Sequence, residues 1–102
     1  MNGTKFLVSL AELEGNLISR SQTKKVAEKF DKFTEVELDF SGVDSVGQAF
    51  SDELFRVWPL SNTKTNLHIS NANAYVLKMF NHIKGRYDLP QADNITVKLS
   101  SI

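Results

Sequence analysis

Two periods of apolar residues run through this chain. In Asn94–Ser100 (NITVKLS) they alternate, with Ile95, Val97 and Leu99 on one face; in Thr65–Ser70 (TNLHIS) Leu67 and Ile69 share one face and Asn66 and His68 the other. Both segments read as strands, as do Lys5–Leu10 (KFLVSL) and Glu35–Phe40 (EVELDF), the last expected as the core strand of the sheet. Between them the period lengthens to that of a helix. Thr23, Val26, Ala27 and Phe30 recur at i, i+3, i+4 and i+7 and make one buried stripe, and Ser19 followed by Gln22 has the spacing of a capping box that starts this helix. Phe50, Leu54, Val57 and Trp58 form a second stripe, with Pro59 limiting its far end. Val76, Met79, Phe80 and Ile83 form a third, opened by Asn71 or Asn73 as cap and closed at Gly85. Gly15 signals a turn before the first helix and Pro90 a loop before the last strand. The order β-α-β-α-β-α-β predicts an α/β sandwich around a central mixed or largely parallel sheet of about four strands, with right-handed crossovers.

Composition confines this pattern to a single domain, residues 1–102, with 41% hydrophobic and 24% charged residues. A chain of this length buries roughly 60–70% of the surface it exposes when unfolded, enough for a core without staples. Twelve Lys and Arg balance twelve Asp and Glu, so no broad attraction to nucleic acid or to an anionic membrane is expected. Cysteine is absent, which removes disulfides, a thiolate nucleophile and cysteine metal sites, and fits a reducing compartment. The start, MNGTKFLVSLAELEGN, lacks a basic stretch followed by a long apolar run, so no signal peptide is expected, and no run is long enough to span a bilayer; the expectation is a cytoplasmic protein. No Ser/His/Asp constellation or Walker-type glycine loop is present, and the adjacent Asp52 and Glu53 point in different directions on a helix. His68 and His82 lack metal-ligand spacing. No enzymatic activity, cofactor or metal is expected.

Small and acidic residues gather in one place. Leu38–Phe55 (LDFSGVDSVGQAFSDELF) reads as a strand, a loop and a helix start. The loop lies at a strand's carboxyl end, where open α/β sheets build sites beside the free N–H groups of a helix N-terminus. Its glycines permit close backbone approach. Candidate partner-binding residues are Asp39, Ser41, Gly42, Asp44, Ser45 and Gly47, with Gln48, Ser51, Asp52 and Phe55 on the solvent side of the following helix. Each has a plainer reading. Asp39 would bond neighbouring loop N–H groups, and Asp44 and Ser45 would be turn formers. Asp52 and Glu53 would be acids favoured by the helix dipole. Phe55, at the margin of the buried stripe, either completes the core against a neighbouring helix or stands exposed as an anchor. Arg20 and Ser21 at the first helix start either form an anion site or lie on a helix surface. Lys25, Lys29 and Lys32, interleaved with Glu28, Asp31 and Glu35, read as a solvated face.

The stretch LDFSGVDSVGQAFSDELFRVW resembles the STAS domain, the fold of bacterial anti-sigma-factor antagonists and of sulfate-transporter tails. With the SRSQ helix start and the DF…G…F…DE pattern, it is most similar to the STAS-like family of unknown function. The likeness runs from about Ile18 to Trp58, and ISNANAYVLKMFNHI is a weaker match. The resemblance implies a regulatory module that docks onto a protein partner, in antagonists a histidine-kinase-like ATPase, through the loop and helix start after the central strand. It also implies that the partner phosphorylates a serine at that helix start and so breaks the complex. The family motif there is acidic residue, Ser, Ser, Gly. This chain has Gly47, Gln48, Ala49 and Phe50, and neither Gln48 nor Ala49 accepts a phosphate, so no such phosphorylation is expected. Two other classes stay open: a sensor or accessory enzyme subunit holding a small anion or nucleotide at the same junction, and a homodimer or other self-assembly through an edge strand or the Phe55 face.

Overall fold

The computed structural model describes residues 5–13 and 15–98. Four strands, β1 (Lys5–Ser9), β2 (Glu35–Asp39), β3 (Asn66–Ser70) and β4 (Ile95–Val97), lie side by side in that order. All three pairings are parallel, with Val8 opposite Leu38 and Leu38 opposite Ile69. Of the two expectations, a mixed or a largely parallel sheet, the parallel one holds. Each connection carries a helix back along the sheet, so every strand re-enters in the same direction. The last strand was expected to reach Ser100; Leu99 and Ser100 lie outside the described residues.

The helices are α1 (Arg20–Ala27), α2 (Gln48–Asp52), α3 (Trp58–Ser61) and α4 (Ala74–Lys84), and α2 and α3 are joined by a π-helical turn, Glu53–Val57. Because the strand order advances one way only, right-handed crossovers place all of them on one face. Burial agrees: Val36, Leu38, Leu67 and Ile69 are sealed under the helices, whereas Glu35, Glu37, Asp39 and His68 on the alternate positions are half-exposed. The molecule is thus two layers, with a polar sheet face left open. Polar groups on that face pair with one another: Glu37 Oε1 lies 3.0 Å from Lys5 Nζ and 3.2 Å from Lys98 Nζ, and Glu35 Oε1 is hydrogen-bonded to His68 Nε2 at 2.7 Å.

Local chemistry sets the helix ends. Ser19 Oγ accepts the Gln22 N–H and Gln22 Oε1 accepts the Ser19 N–H, which completes the capping box. Thr23, Val26 and Ala27 are buried, and Phe30 joins them from the turn after α1. Asn73, not Asn71, caps α4 by accepting the Val76 N–H at 2.9 Å. Pro59 does not stop the central helix, which continues to Ser61. A proline ring clashes with the carbonyl four residues earlier and lacks the N–H to bond it. The ladder before it slips instead by one residue: the Trp58 N–H bonds the Glu53 carbonyl, an i→i−5 bond. In a regular α-helix Phe50 and Phe55 would stand about 140° apart. The wider turn brings both into the core at 0% exposure, and Val57, expected in the stripe, is only half-buried. No helix among the described residues is long and apolar enough to cross a membrane.

Candidate functional site

Past Asp39 the chain turns sharply. The Phe40 carbonyl accepts the Val43 N–H at 3.0 Å, and Gly42, at φ +81°, takes the third position of a type II turn, where a side chain would be strained. Asp39 Oδ1 accepts the Asn71 Nδ2 hydrogen at 3.0 Å and the Ser41 N–H at 2.9 Å. The bond from Asn71 first, then that from Ser41, holds the Asp39 carboxyl below its usual range. Asp39, Ser41 and Gly42 are therefore engaged in shaping the turn.

The loop then closes on an earlier segment of the chain. The Gly47 N–H bonds the Leu17 carbonyl at 2.7 Å and the Phe50 N–H bonds that of Ile18 at 3.3 Å. A Cβ on Gly47 would stand 2.8 Å from Ile18 Cα, closer than atoms tolerate. The small residue at 47 serves an internal contact, and one of the helix N–H groups expected to face a ligand is already bonded.

The expected solvent side of the following helix is also corrected. Gln48 is exposed as expected, but Ser51 is at 0% exposure and Asp52 at 9%; Phe55, at 0%, takes the first of its two readings and completes the core against a neighbouring helix. The cause lies in the layer. This helix packs between α1 and α4, so it meets the sheet below and a helix on either side. Thr23 Oγ1 donates to the Phe50 carbonyl at 2.9 Å on the α1 side. Phe55 meets Phe80 edge-to-face, centroids 5.1 Å apart, on the α4 side, and lies 6.2 Å from Phe40 in the sheet layer. Asp52 is clamped: Oδ1 accepts from Arg56 Nε at 2.6 Å, and Oδ2 from Arg56 Nη2 at 3.0 Å and Arg20 Nη1 at 2.8 Å. The Arg56 bonds chiefly, with Arg20 adding, hold its carboxyl below the ordinary value despite burial. Arg20, one candidate for an anion site, is thus occupied by Asp52 and, at 3.5 Å, by Glu53. At the strand ends a cleft of about 280 Å³ lies between the segment after β1 and the loop after β2, lined among others by Leu10, Asn16, Leu17, Gly42, Asp44 and Ser45. The strand order advances without reversal, so no switch point deepens it.

On the other side of the loop a groove of about 410 Å³ opens between it and α4. Ser45, Val46 and Gln48 line one wall; Tyr75, Lys78, Met79 and His82 line the other. Asn73 ties the walls together. While capping α4 it donates from Nδ2 to the Val43 carbonyl at 3.2 Å and the Asp44 carbonyl at 2.9 Å. The loop and the helix are thus preset with respect to each other. Of the sequence candidates, Ser45 and Gln48 reach this groove, and the exposed Asp44 borders it through its bond to Asn73. Sequence reasoning missed the α4 wall. Its signal was present: Tyr75, Lys78, Met79 and His82 fall at i, i+3, i+4 and i+7, a second stripe beside the one that carries Val76 and Ile83.

Residues 22–77 match the family described as STAS-like domain of unknown function (DUF4325). The match takes in more than half of the chain, from the capping box of α1 to the first turn of α4, and the chain belongs to this family. No curated protein and no solved structure gave a match.

Proposed function

We propose, from membership of this STAS-like family, that the chain is a regulatory module that acts by binding a protein partner. The partner surface is the exposed part of the loop after β2, the Gln48 end of α2 and the facing side of α4. The observation that carries this reading is the preset groove, whose walls Asn73 holds together. A surface already in its binding shape loses little ordering entropy on association. A histidine-kinase-like ATPase is the partner class that the family resemblance favours. Binding here is independent of phosphorylation at the helix start, since Gln48 and Ala49 carry no acceptor hydroxyl. A small anion at the α2 N-terminus finds less support, because Ile18 bonds the Phe50 N–H and crowds Gly47.

Photo-crosslinking tests the reading. A photoreactive residue at Gln48 is expected to capture a defined host protein that the same residue at the exposed Lys64 does not capture. Equal capture at both positions, or none at Gln48, would sink it.

A further inference from the structure

The groove beside α4 has a distinct charge. Lys78 and His82 are its basic lining groups, no carboxylate is among the residues that line it, and the exposed Asp44 stands at its border. Among the described residues neither makes an ion pair, as is also true of Lys24, Lys25, Lys29, Lys32 and Lys64; Lys78 differs from these in standing beside an exposed aromatic ring. That ring is Tyr75, 73% exposed, a large aromatic surface in water, with the half-buried Met79 at its side. The rest of the lining, Ser45, Val46 and Gln48, is uncharged.

We propose that this groove receives an acidic amphipathic helix of a partner protein, with an apolar side chain seated between Tyr75 and Met79 and a carboxylate meeting Lys78. The proposal rests on the interaction function above and names the chemistry of the partner. Charge complementarity selects the acid: an unmatched lysine in a groove with no carboxylate in its lining attracts a negative segment and repels a basic one. The aromatic and thioether pair selects the apolar anchor, since tyrosine offers large contact area at small entropic cost and methionine adapts to what it meets. The walls select the helix. An extended peptide needs free backbone groups to pair with, as at a sheet edge, and this groove is walled by side chains of a helix and a loop. A helix satisfies its own backbone and presents side chains at the same i, i+3, i+4 and i+7 spacing as Tyr75, Lys78, Met79 and His82, over a length of about 10 Å.

The test selects from a displayed library of helix-forming peptides of about 16 residues, just over four turns, on the full chain, and measures the recovered peptides by fluorescence anisotropy. Selected sequences are expected to be enriched in Asp and Glu beside an aromatic residue or leucine. Lys78→Glu is expected to weaken the best peptide by at least about tenfold, as reversal of one close charge pair does. Tyr75→Ala is expected to weaken it too, whereas Lys29→Glu in the turn after α1, across the central helix, leaves it unchanged. All three positions are exposed, so the variants should fold, and circular dichroism checks this. Should Lys78→Glu misfold, Lys78→Gln with a reduced salt dependence of binding replaces it. Failure to select any peptide, selection of neutral or basic ones, or indifference to the Lys78 substitution overturns the proposal. If Gln48 still captures a partner by crosslinking in that event, the interaction function stands and only the acidic helix falls.

Discussion

Asp52 holds two arginines at once, and this makes it a stability residue. Charge reversal there would leave Arg20 and Arg56 facing a like charge instead of probing a docking surface. Asp52→Asn is expected to cost about 2–3 kcal/mol, less than the about 3–5 kcal/mol of a fully buried pair because Arg20 is half in solvent. The sign with pH follows from its lowered pKa. The folded chain binds the Asp52 proton more weakly than the unfolded chain, so the stabilisation is complete above the ordinary aspartate value, about 3.9, and is lost as pH falls from there through the folded value. Urea titrations across this window should show a shallower acid loss in the variant; parallel curves would contradict the clamp. Ser51 is buried as deeply as a core phenylalanine and offers no kinase access. Intact-mass measurement after incubation with ATP and a captured ATPase is expected to show no added phosphate. A phosphate mapped to Ser51 would contradict its placement, and one mapped to the exposed Ser45 would contradict binding that is independent of phosphorylation.

At the scale of elements, legibility depended on how local the cause was. The capping box at Ser19 and Gln22 and the alternation in β3 are decided within a few residues, and both were readable. The run from 48 to 61 was not. Reading it with a regular helical period put Val57 in the core and Ser51 and Asp52 in solvent, and left Phe55 at the margin between the two. The slip ahead of Pro59 changes the period inside the element, and helices on both sides bury faces that a surface helix would expose. Asn94 was equally illegible. It reads as the first residue of a strand, yet its Nδ2 reaches the carbonyls of Pro59, Asn62 and Thr65 at 3.1, 3.1 and 2.8 Å, closing the end of the central helix onto the sheet. Asn94→Ala leaves these carbonyls short of a donor in a buried place and is expected to cost about 2–3 kcal/mol, readable as a lower urea midpoint with unchanged slope. An unchanged midpoint would show that the contact is dispensable.

For the molecule as a whole, the alternation of strands and helices carried the α/β class, but strand direction and order depend on long-range pairing that no local pattern encodes. The singly advancing parallel sheet has two consequences. Among the described residues it leaves one sheet face uncovered, with Glu37 paired to Lys5 and Lys98, and it offers no switch point where strand order reverses. The groove that Asn73 presets lies against α4, beside the cleft at the strand ends, and there two of the sequence candidates meet a wall that was not foreseen. The stretch to which the family motif points carries no acceptor serine pair, and most of its helix lies in the core. Hydrogen exchange of the chain, alone and bound to the protein captured through Gln48, tests the central claim most directly. Slowed exchange over residues 43–49 and the first two turns of α4, with β1 and the open sheet face unchanged, is the predicted result. Protection confined to β1 or the open sheet face would contradict it.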